Sequence, residues 1–329
     1  MADKIPISIL TGFLGAGKTT LLRSILSAED YGDTAVLVNE FGEVGIDQHL
    51  VESISSDIVL LDSGCLCCQI HGELKDAILE LYSRQAKAQI PTFKRIIVET
   101  TGLAEPGPIA STIFSDPILS NQFYLNNIIT VVDAQLGDGV AQQRQEWFKQ
   151  VAAADIIYLS KTDIIQDSGQ ALAKEVQKIN PAARFIKHFP KGEELDYISS
   201  YGSQKDNMAK WLTDKHSHHH LGQHEEGEGT FSFILDFDEN IDWVRFGIWF
   251  SAMLQAHGEN ILRVKGILNV EEGKFISFNA VQHIVYPPIL LKEMPLGWNG
   301  SQLVFIVNGI SSRNMLKSFK KFVMKPNNP

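Results

Sequence analysis

Short apolar runs recur through the N-terminal part of the chain, each closed by a turn that carries glycine or an acid. The first, Ile5-Pro6-Ile7-Ser8-Ile9-Leu10, reads as a buried strand. Leu21, Leu22, Ile25 and Leu26 then fall at helical spacing and predict a helix over Thr19 to Leu26. Thr34 to Val38, Ile58 to Leu61, Arg95 to Glu99, Asn127 to Val132 and Asp155 to Leu159 repeat the strand signal. Between two of them, Leu74, Ala77, Ile78 and Leu81 share one face of a helix predicted from Glu73 to Ala88. Strands alternating with helices predict an α/β fold built on a doubly wound, mostly parallel sheet. In that architecture ligands gather at the carboxyl ends of the strands.

The pattern breaks at residues 214–229, which hold five of the ten histidines, several acids and no hydrophobic periodicity. This composition predicts a flexible, His-rich linker with weak metal affinity. Beyond it, Phe231 to Phe237 alternates as a strand, and Ile241 to Ala256 reads as an apolar helix. Strands follow near Ile261–Val270, Phe275–Tyr286 and Gln302–Val307, then a closing helix from Ser312 to Val323. Two helices on a small, mainly antiparallel sheet make a smaller α+β domain. Its aromatic residues Trp243, Phe246 and Trp249 read as core. The expected division is therefore residues 1–213, a linker at 214–229, and residues 230–329.

Composition narrows the function. At 329 residues, 44% hydrophobic and 21% charged, the chain has the make-up of a globular protein with room for two domains. Its formal charge of −10 argues against a nucleic-acid partner, because phosphate contacts need a basic surface. No apolar run approaches the ~20 residues of a membrane span. The opening residues lead directly into the first strand, so no signal peptide is expected. All three cysteines lie within Cys65-Leu66-Cys67-Cys68, which suits thiolates in a reducing cytoplasm better than a disulfide framework.

Four motifs carry chemistry. Gly12-Phe13-Leu14-Gly15-Ala16-Gly17-Lys18-Thr19 fits the phosphate-binding loop, and it lies between a strand and a helix, as that loop must. Gly12, Gly15 and Gly17 allow the tight turn that aims successive N–H groups, Ala16 included, at phosphate oxygens. The helix N-terminus adds partial positive charge. Lys18 reaches the β- and γ-phosphates, and Thr19 supplies a hydroxyl to Mg²⁺. The strand Arg95 to Glu99 ends in an acid at the position where a carboxylate helps to hold Mg²⁺, and Gly102 follows at the place where an N–H senses the γ-phosphate. Ser160-Lys161-Thr162-Asp163 follows another strand. There Asp163 accepts from the N1–H and amine of guanine while the Lys161 stem lies along the base. Adenine lacks the N1–H donor, so GTP is favoured over ATP. Finally, Cys65, Cys67 and Cys68 suit Zn²⁺ or another thiophilic metal, with Glu43 of the glycine- and acid-rich loop Asn39–Asp47 as a fourth ligand. Asp47 is the candidate for orienting the attacking water.

Taken together, Thr11–Thr20, Asn39–Asp47, Gly64–Cys68, Glu99–Gly102, Ser160–Asp163, the His-rich linker and the C-terminal domain resemble the CobW-like GTPase metallochaperones, close to their YjiA-type members. The resemblance implies GTP hydrolysis coupled to delivery or insertion of a transition metal such as zinc or cobalt, with nickel a further option. It implies a client metalloprotein as partner and allows a homodimer. By motif it assigns phosphates to Gly15, Gly17, Lys18, Thr19 and Thr20, Mg²⁺ to Thr19 and Glu99, and the transition metal to Cys65, Cys67 and Cys68. Val38 stands where some relatives carry a metal-binding Glu, and Ser160 where most guanine motifs begin with Asn or Thr. Two other readings are a non-catalytic metal store or sensor and an ATP-dependent small-molecule kinase. Persistent absence of hydrolysis would favour the first, and the Lys161-x-Asp163 motif argues against the second.

Overall fold

The computed structural model describes residues 4–26, 33–39, 58–61, 70–136, 144–165, 167, 169–187, 229–271, 273–291 and 300–324. They form two compact units, Met1–Ala173 with Ala183–Gly202 and Lys174–Ala182 with Ser203–Pro329.

In the first unit seven strands form one sheet, in which every pairing is parallel: β1 (Ile5–Gly12), β2 (Thr34–Asn39), β3 (Ile58–Leu61), β4 (Arg95–Glu99), β5 (Phe123–Asp133), β6 (Ile156–Ser160) and β7 (Arg184–Ile186). Their order across the sheet is β3-β2-β4-β1-β5-β6-β7. Connections run through α1 (Lys18–Leu26), α2 (Ile70–Ala86), α3 (Pro106–Ser115), α4 (Pro117–Gln122), α5 (Gln145–Ala153) and α6 (Gln170–Ile179), the last spanning the boundary of the two units. This is the doubly wound arrangement expected from the alternating pattern. Parallel strands buried on both faces read as continuous apolar runs rather than alternating ones. Ile7, Ile9, Leu10, Ile96, Val98, Ile128, Val131 and Ile157 are accordingly buried. The central position of β1, between β4 and β5, puts its carboxyl end beside those of both neighbours. α1 packs Leu21, Leu22, Ile25 and Leu26 into the core, the four positions its periodicity singles out.

α2 begins at Ile70 and stops at Ala86, so the expected span from Glu73 to Ala88 is displaced toward the N-terminus. Ala88 sits at φ 54°, in the left-handed region that ends a helix.

The second unit holds an antiparallel sheet of six strands, β8 (Thr230–Phe237), β9 (Ile261–Glu271), β10 (Lys274–Val281), β11 (Ile284–Val285), β12 (Ile289–Leu291) and β13 (Ser301–Asn308). α7 (Trp243–His257) and α8 (Ser312–Phe322) complete it, an α+β unit as expected. Phe246, Trp249, Phe250, Phe278, Phe305 and Phe319 interlock in its core, with Phe246 edge-on to Phe278 at 5.0 Å and Trp249 edge-on to Phe319 at 5.0 Å. These aromatic residues are packing, not a cofactor box. Asp242 caps α7 by accepting from the Arg245 N–H, and Ser311 caps α8 through the Asn314 N–H. Where one strand was expected from Phe275 to Tyr286, the chain reverses at Gln282, φ 50°, and β11 pairs back on the end of β10. Among the described residues no helix is long and apolar enough to cross a membrane.

Candidate functional site

β1 ends at Gly12 in the middle of the parallel sheet, and α1 begins at Lys18. At Gly12, φ is 144°, and a Cβ would lie 2.3 Å from the Val131 carbonyl oxygen of β5. No side chain fits there. The turn continues through Gly15 and Gly17 at φ 71° and 93° and is closed by the Ala16 N–H donating to the Phe13 carbonyl at 3.1 Å. Lys18 folds back on the loop and donates from Nζ to the carbonyls of Gly12 at 3.0 Å and Phe13 at 3.3 Å. The cation is therefore held at the loop itself, beside the N-terminus of α1. Thr20 is exposed on the first turn of that helix.

β4 lies directly beside β1 with Glu99 paired to Leu10, so the acid arrives at the base of the loop. Thr19 Oγ1 donates to Glu99 Oε1 at 2.7 Å. Glu99 is only 2% exposed, and a carboxylate that far from water needs a charged or hydrogen-bonding partner. A hydroxyl and a carboxylate side by side are hard oxygen donors of the kind Mg²⁺ takes. The two residues fit that ion. The next residue is pinned as well: the Thr100 N–H donates to the Leu10 carbonyl at 2.9 Å, and its hydroxyl bonds Thr11 Oγ1 at 3.0 Å. Two residues on, Gly102 is pressed against the phosphate loop. A Cβ on Gly102 would lie 2.6 Å from the Leu14 nitrogen and 2.7 Å from its Cα.

The third part comes from the end of β6. Ser160 Oγ donates to the Ala16 carbonyl at 2.6 Å, which joins this loop to the phosphate loop. Lys161 follows at φ 56°, and its ammonium lies 2.6 Å from Asp133 Oδ2 at the end of β5. The second Asp133 oxygen accepts the Gln135 N–H at 2.9 Å, and the side chain is 4% exposed. The Lys161 stem is thus anchored at its tip. Asp163 is exposed two residues later. The loop ends at Asp167, whose carboxylate accepts from the N–H groups of Ala171 and Gly169. Those bonds hold its carboxyl below the usual carboxylate range.

Gly12, Gly15, Ala16, Gly17, Lys18, Thr19, Thr20, Glu99, Gly102, Lys161 and Asp163 thus share the carboxyl ends of β1, β4 and β6. Glu43, Asp47, Cys65, Cys67, Cys68 and the histidines of the linker lie outside the described residues. The sequence alone did not expose Asp133 as the Lys161 partner, Ser160 as a tie between loops, or Gln150. Gln150 is fully buried on α5, and its Nε2 bonds the carbonyls of Gly102 at 3.1 Å and Ala104 at 3.0 Å. A polar residue on the apolar face shared by Trp147 and Val151 was the available signal.

Residues 6–187 match the model of the CobW/HypB/UreG nucleotide-binding domain, and residues 231–323 match that of the cobalamin synthesis protein cobW C-terminal domain. The chain is 30% identical over 330 residues to zinc-regulated GTPase metalloprotein activator 1 of Schizosaccharomyces pombe, covering 89% of this chain and 79% of that protein. It is 33% identical over 285 residues to the zinc chaperone YjiA of Escherichia coli, covering 86% and 87%. The crystal structure of Zn(II)-bound YjiA GTPase from E. coli superimposes with a TM-score of 0.71 at 27% identity, over 97% of this chain and 99% of that one.

Proposed function

Because the chain belongs to the CobW/HypB/UreG family, we propose that it hydrolyses GTP and couples that reaction to binding a transition metal, zinc foremost, and handing it to client metalloproteins. The observation that carries the reading is the Thr19–Glu99 contact at 2.7 Å, set on a phosphate loop whose turn admits only glycine at its first position.

The residues divide the work. Lys18 and the loop N–H groups, with the α1 N-terminus, neutralise the β- and γ-phosphates. Thr19 and Glu99 would hold Mg²⁺, which would supply counter-charge to the phosphate oxygens. Gly102 offers its N–H to the γ-phosphate and so distinguishes GTP from GDP. Lys161, anchored by Asp133, lies along the base, and Asp163 accepts from the two guanine donors. Water attacks the γ-phosphorus, the bond to the β–γ bridging oxygen breaks, and GDP and phosphate leave. Asp47 orients that water. Positioning and charge neutralisation do most of the catalysis, so intrinsic turnover is slow.

The metal is cargo. Cys65, Cys67 and Cys68, with Glu43 as the fourth donor, would take Zn²⁺ in the tetrahedral, sulfur-rich set it prefers. In sequence these residues lie between the phosphate loop and the Glu99 strand; in this reading metal binding and nucleotide state are coupled, and such coupling runs equally in both directions. Release of the metal to a client on hydrolysis follows from that coupling. We place this chemistry in a reducing cytoplasm, where the thiolates survive, and a homodimer is compatible with it.

The test is turnover of GTP and ATP by the full chain, with and without Zn²⁺, Co²⁺ and Ni²⁺, beside Lys18→Ala. GTP should be hydrolysed in preference to ATP, zinc should change the rate, and the Lys18 variant should lose turnover. Equal use of ATP refutes the guanine assignment, and unchanged turnover in the variant refutes the phosphate-loop assignment.

A further inference from the structure

The segment from Thr101 to Glu105 is held from two sides. On one, Gly102 lies against the backbone of Leu14 with no space between them for a side chain. On the other stands α5. Both N–H bonds of the Gln150 amide are spent on this segment, at 3.1 Å to the Gly102 carbonyl and 3.0 Å to the Ala104 carbonyl. One residue earlier, Lys149 Nζ forms an ion pair with Glu105 Oε1 at 2.6 Å. The segment itself closes as a turn, the Ala104 N–H donating to the Thr101 carbonyl at 3.2 Å.

Gln150 is 0% exposed, and its Oε1 has no hydrogen-bond partner among the described residues. Because both facing atoms are carbonyl oxygens, the amide nitrogen must be the end that meets them. A buried amide with an unsatisfied oxygen carries a cost of its own, set against the two carbonyls that its nitrogen satisfies. What an apolar residue lacks is the grip on two carbonyls that lie 48 and 46 positions away in the chain. The main chain at Gln150 is fixed as well, its carbonyl accepting from Thr130 Oγ1 of β5 at 2.8 Å. α5 then leads through Ala154 and Asp155 into β6, whose end carries Ser160 and Lys161.

We infer that Gln150 is a positioning residue for GTP hydrolysis, holding the Thr101–Glu105 segment so that Gly102 faces the γ-phosphate correctly and carrying the presence of that phosphate into α5. The inference rests on the GTPase reading above. Gln150 touches no substrate; it acts through Gly102 and Ala104. Without its two bonds the segment loses its buried grip on α5 and keeps the partly exposed Lys149–Glu105 pair. The triphosphate would then lose its preorganised contact, whereas GDP, with no γ-phosphate, would bind much as before.

The experiment compares the wild-type chain with Gln150→Met, which keeps the length and loses both donors. Turnover, KM for GTP, affinities for GDP and a non-hydrolysable GTP analogue, and the melting temperature are measured on each. The expected result is kcat lowered about tenfold or more, GDP affinity within about twofold of wild type, and a smaller preference for triphosphate over diphosphate. Wild-type kcat in the variant overturns the inference. So does a parallel loss of kcat and GDP affinity with a lowered melting temperature, which marks a packing role. Should the variant not fold, amide exchange in the wild type decides. Leu103 to Glu105 and the Lys149 to Ala153 helix turn should be better protected with the GTP analogue than with GDP, and equal protection overturns the proposal. A wild type that binds GTP yet never hydrolyses it fails the GTPase reading, whereas a hydrolysing wild type matched by its Met variant fails this inference alone.

Discussion

Ser160 donates its hydroxyl to the Ala16 carbonyl across 2.6 Å, joining two loops that are 144 positions apart in sequence. The loop assigned to the base and the loop assigned to the phosphates are therefore one mechanical piece. A serine suffices because β6 lies one strand from β1 across β5, close enough for a single hydroxyl to span the gap. Ser160→Ala leaves the Ala16 carbonyl without this donor, which costs about 1 kcal/mol. GTP and GDP should both bind about five- to tenfold more weakly, and Ser160→Thr should restore most of the loss. Fluorescent-nucleotide titration reads this directly, and unchanged affinity in the alanine variant would separate the two loops functionally.

The contact between Thr19 and Glu99 leads to a prediction about ions rather than nucleotide. Glu99→Gln keeps the hydrogen bond to Thr19 and removes the charge. Half-saturation of turnover by Mg²⁺ should move up about tenfold or more, while GDP binding without Mg²⁺ should change little. Superimposable Mg²⁺ titrations of the two proteins would remove Glu99 from the ion site.

Local signals made much of this architecture legible. The phosphate loop is contiguous, its glycines are required by backbone geometry, and its strand and helix announce themselves by apolar runs and spacing. The Glu99 strand and the Ser160–Asp163 loop are equally local. What escaped was tertiary. Nothing in Val281-Gln282-His283-Ile284 marks a hairpin, since the left-handed residue is a glutamine rather than glycine or asparagine. Asp133 and Gln150 are ordinary residue types whose importance lies in partners 28 to 48 positions away. No periodicity records such a pairing. The cysteine motif was the most legible feature of all, yet it lies outside the described residues.

Lys75 and Asp116 yield a prediction about acid stability. Lys75 Nζ lies 2.6 Å from Asp116 Oδ2, while Asp116 Oδ1 caps α4 through the N–H groups of Ile118 and Leu119. The Lys75 bond first, then the Leu119 N–H, hold the Asp116 carboxyl below its ordinary 3.8. The same partner lifts Lys75 above its ordinary 10.5. A lowered carboxyl stabilises the fold above its unfolded value and loses that contribution as pH falls through the folded one. A raised lysine stabilises below its unfolded value and loses the contribution as pH rises through the folded one. Asp116→Asn retains a capping side chain but no charge. Its deficit in melting temperature should therefore be constant between 3.8 and 10.5 and shrink on both sides. A deficit that persists at acid pH would mean that the cap alone, not the charge, supports α4.

The cysteines and the histidines should separate under mutation. Fixing chain around a metal costs roughly 1–2 kcal/mol per residue, and the 214–229 sequence brings no hydrophobic periodicity to offset that cost for its imidazoles. Thiolates at Cys65, Cys67 and Cys68 are close together in sequence, give up protons to a bound metal, and form the stronger bonds to zinc. Replacing all three cysteines with serine should abolish tight, stoichiometric zinc binding and, with it, the response of GTP turnover to zinc. Deleting His216 to His224 should lower only the number of weakly bound ions and leave that response in place. Calorimetric zinc titration of both variants, with turnover measured in the presence and absence of zinc, distinguishes them. Reciprocity adds an internal check: if zinc shifts the affinity for GTP by some factor, GTP must shift the affinity for zinc by the same factor. Tight binding that survives the triple serine change would move the functional site away from the cysteines. A zinc response lost on deleting the histidines would move it to the linker.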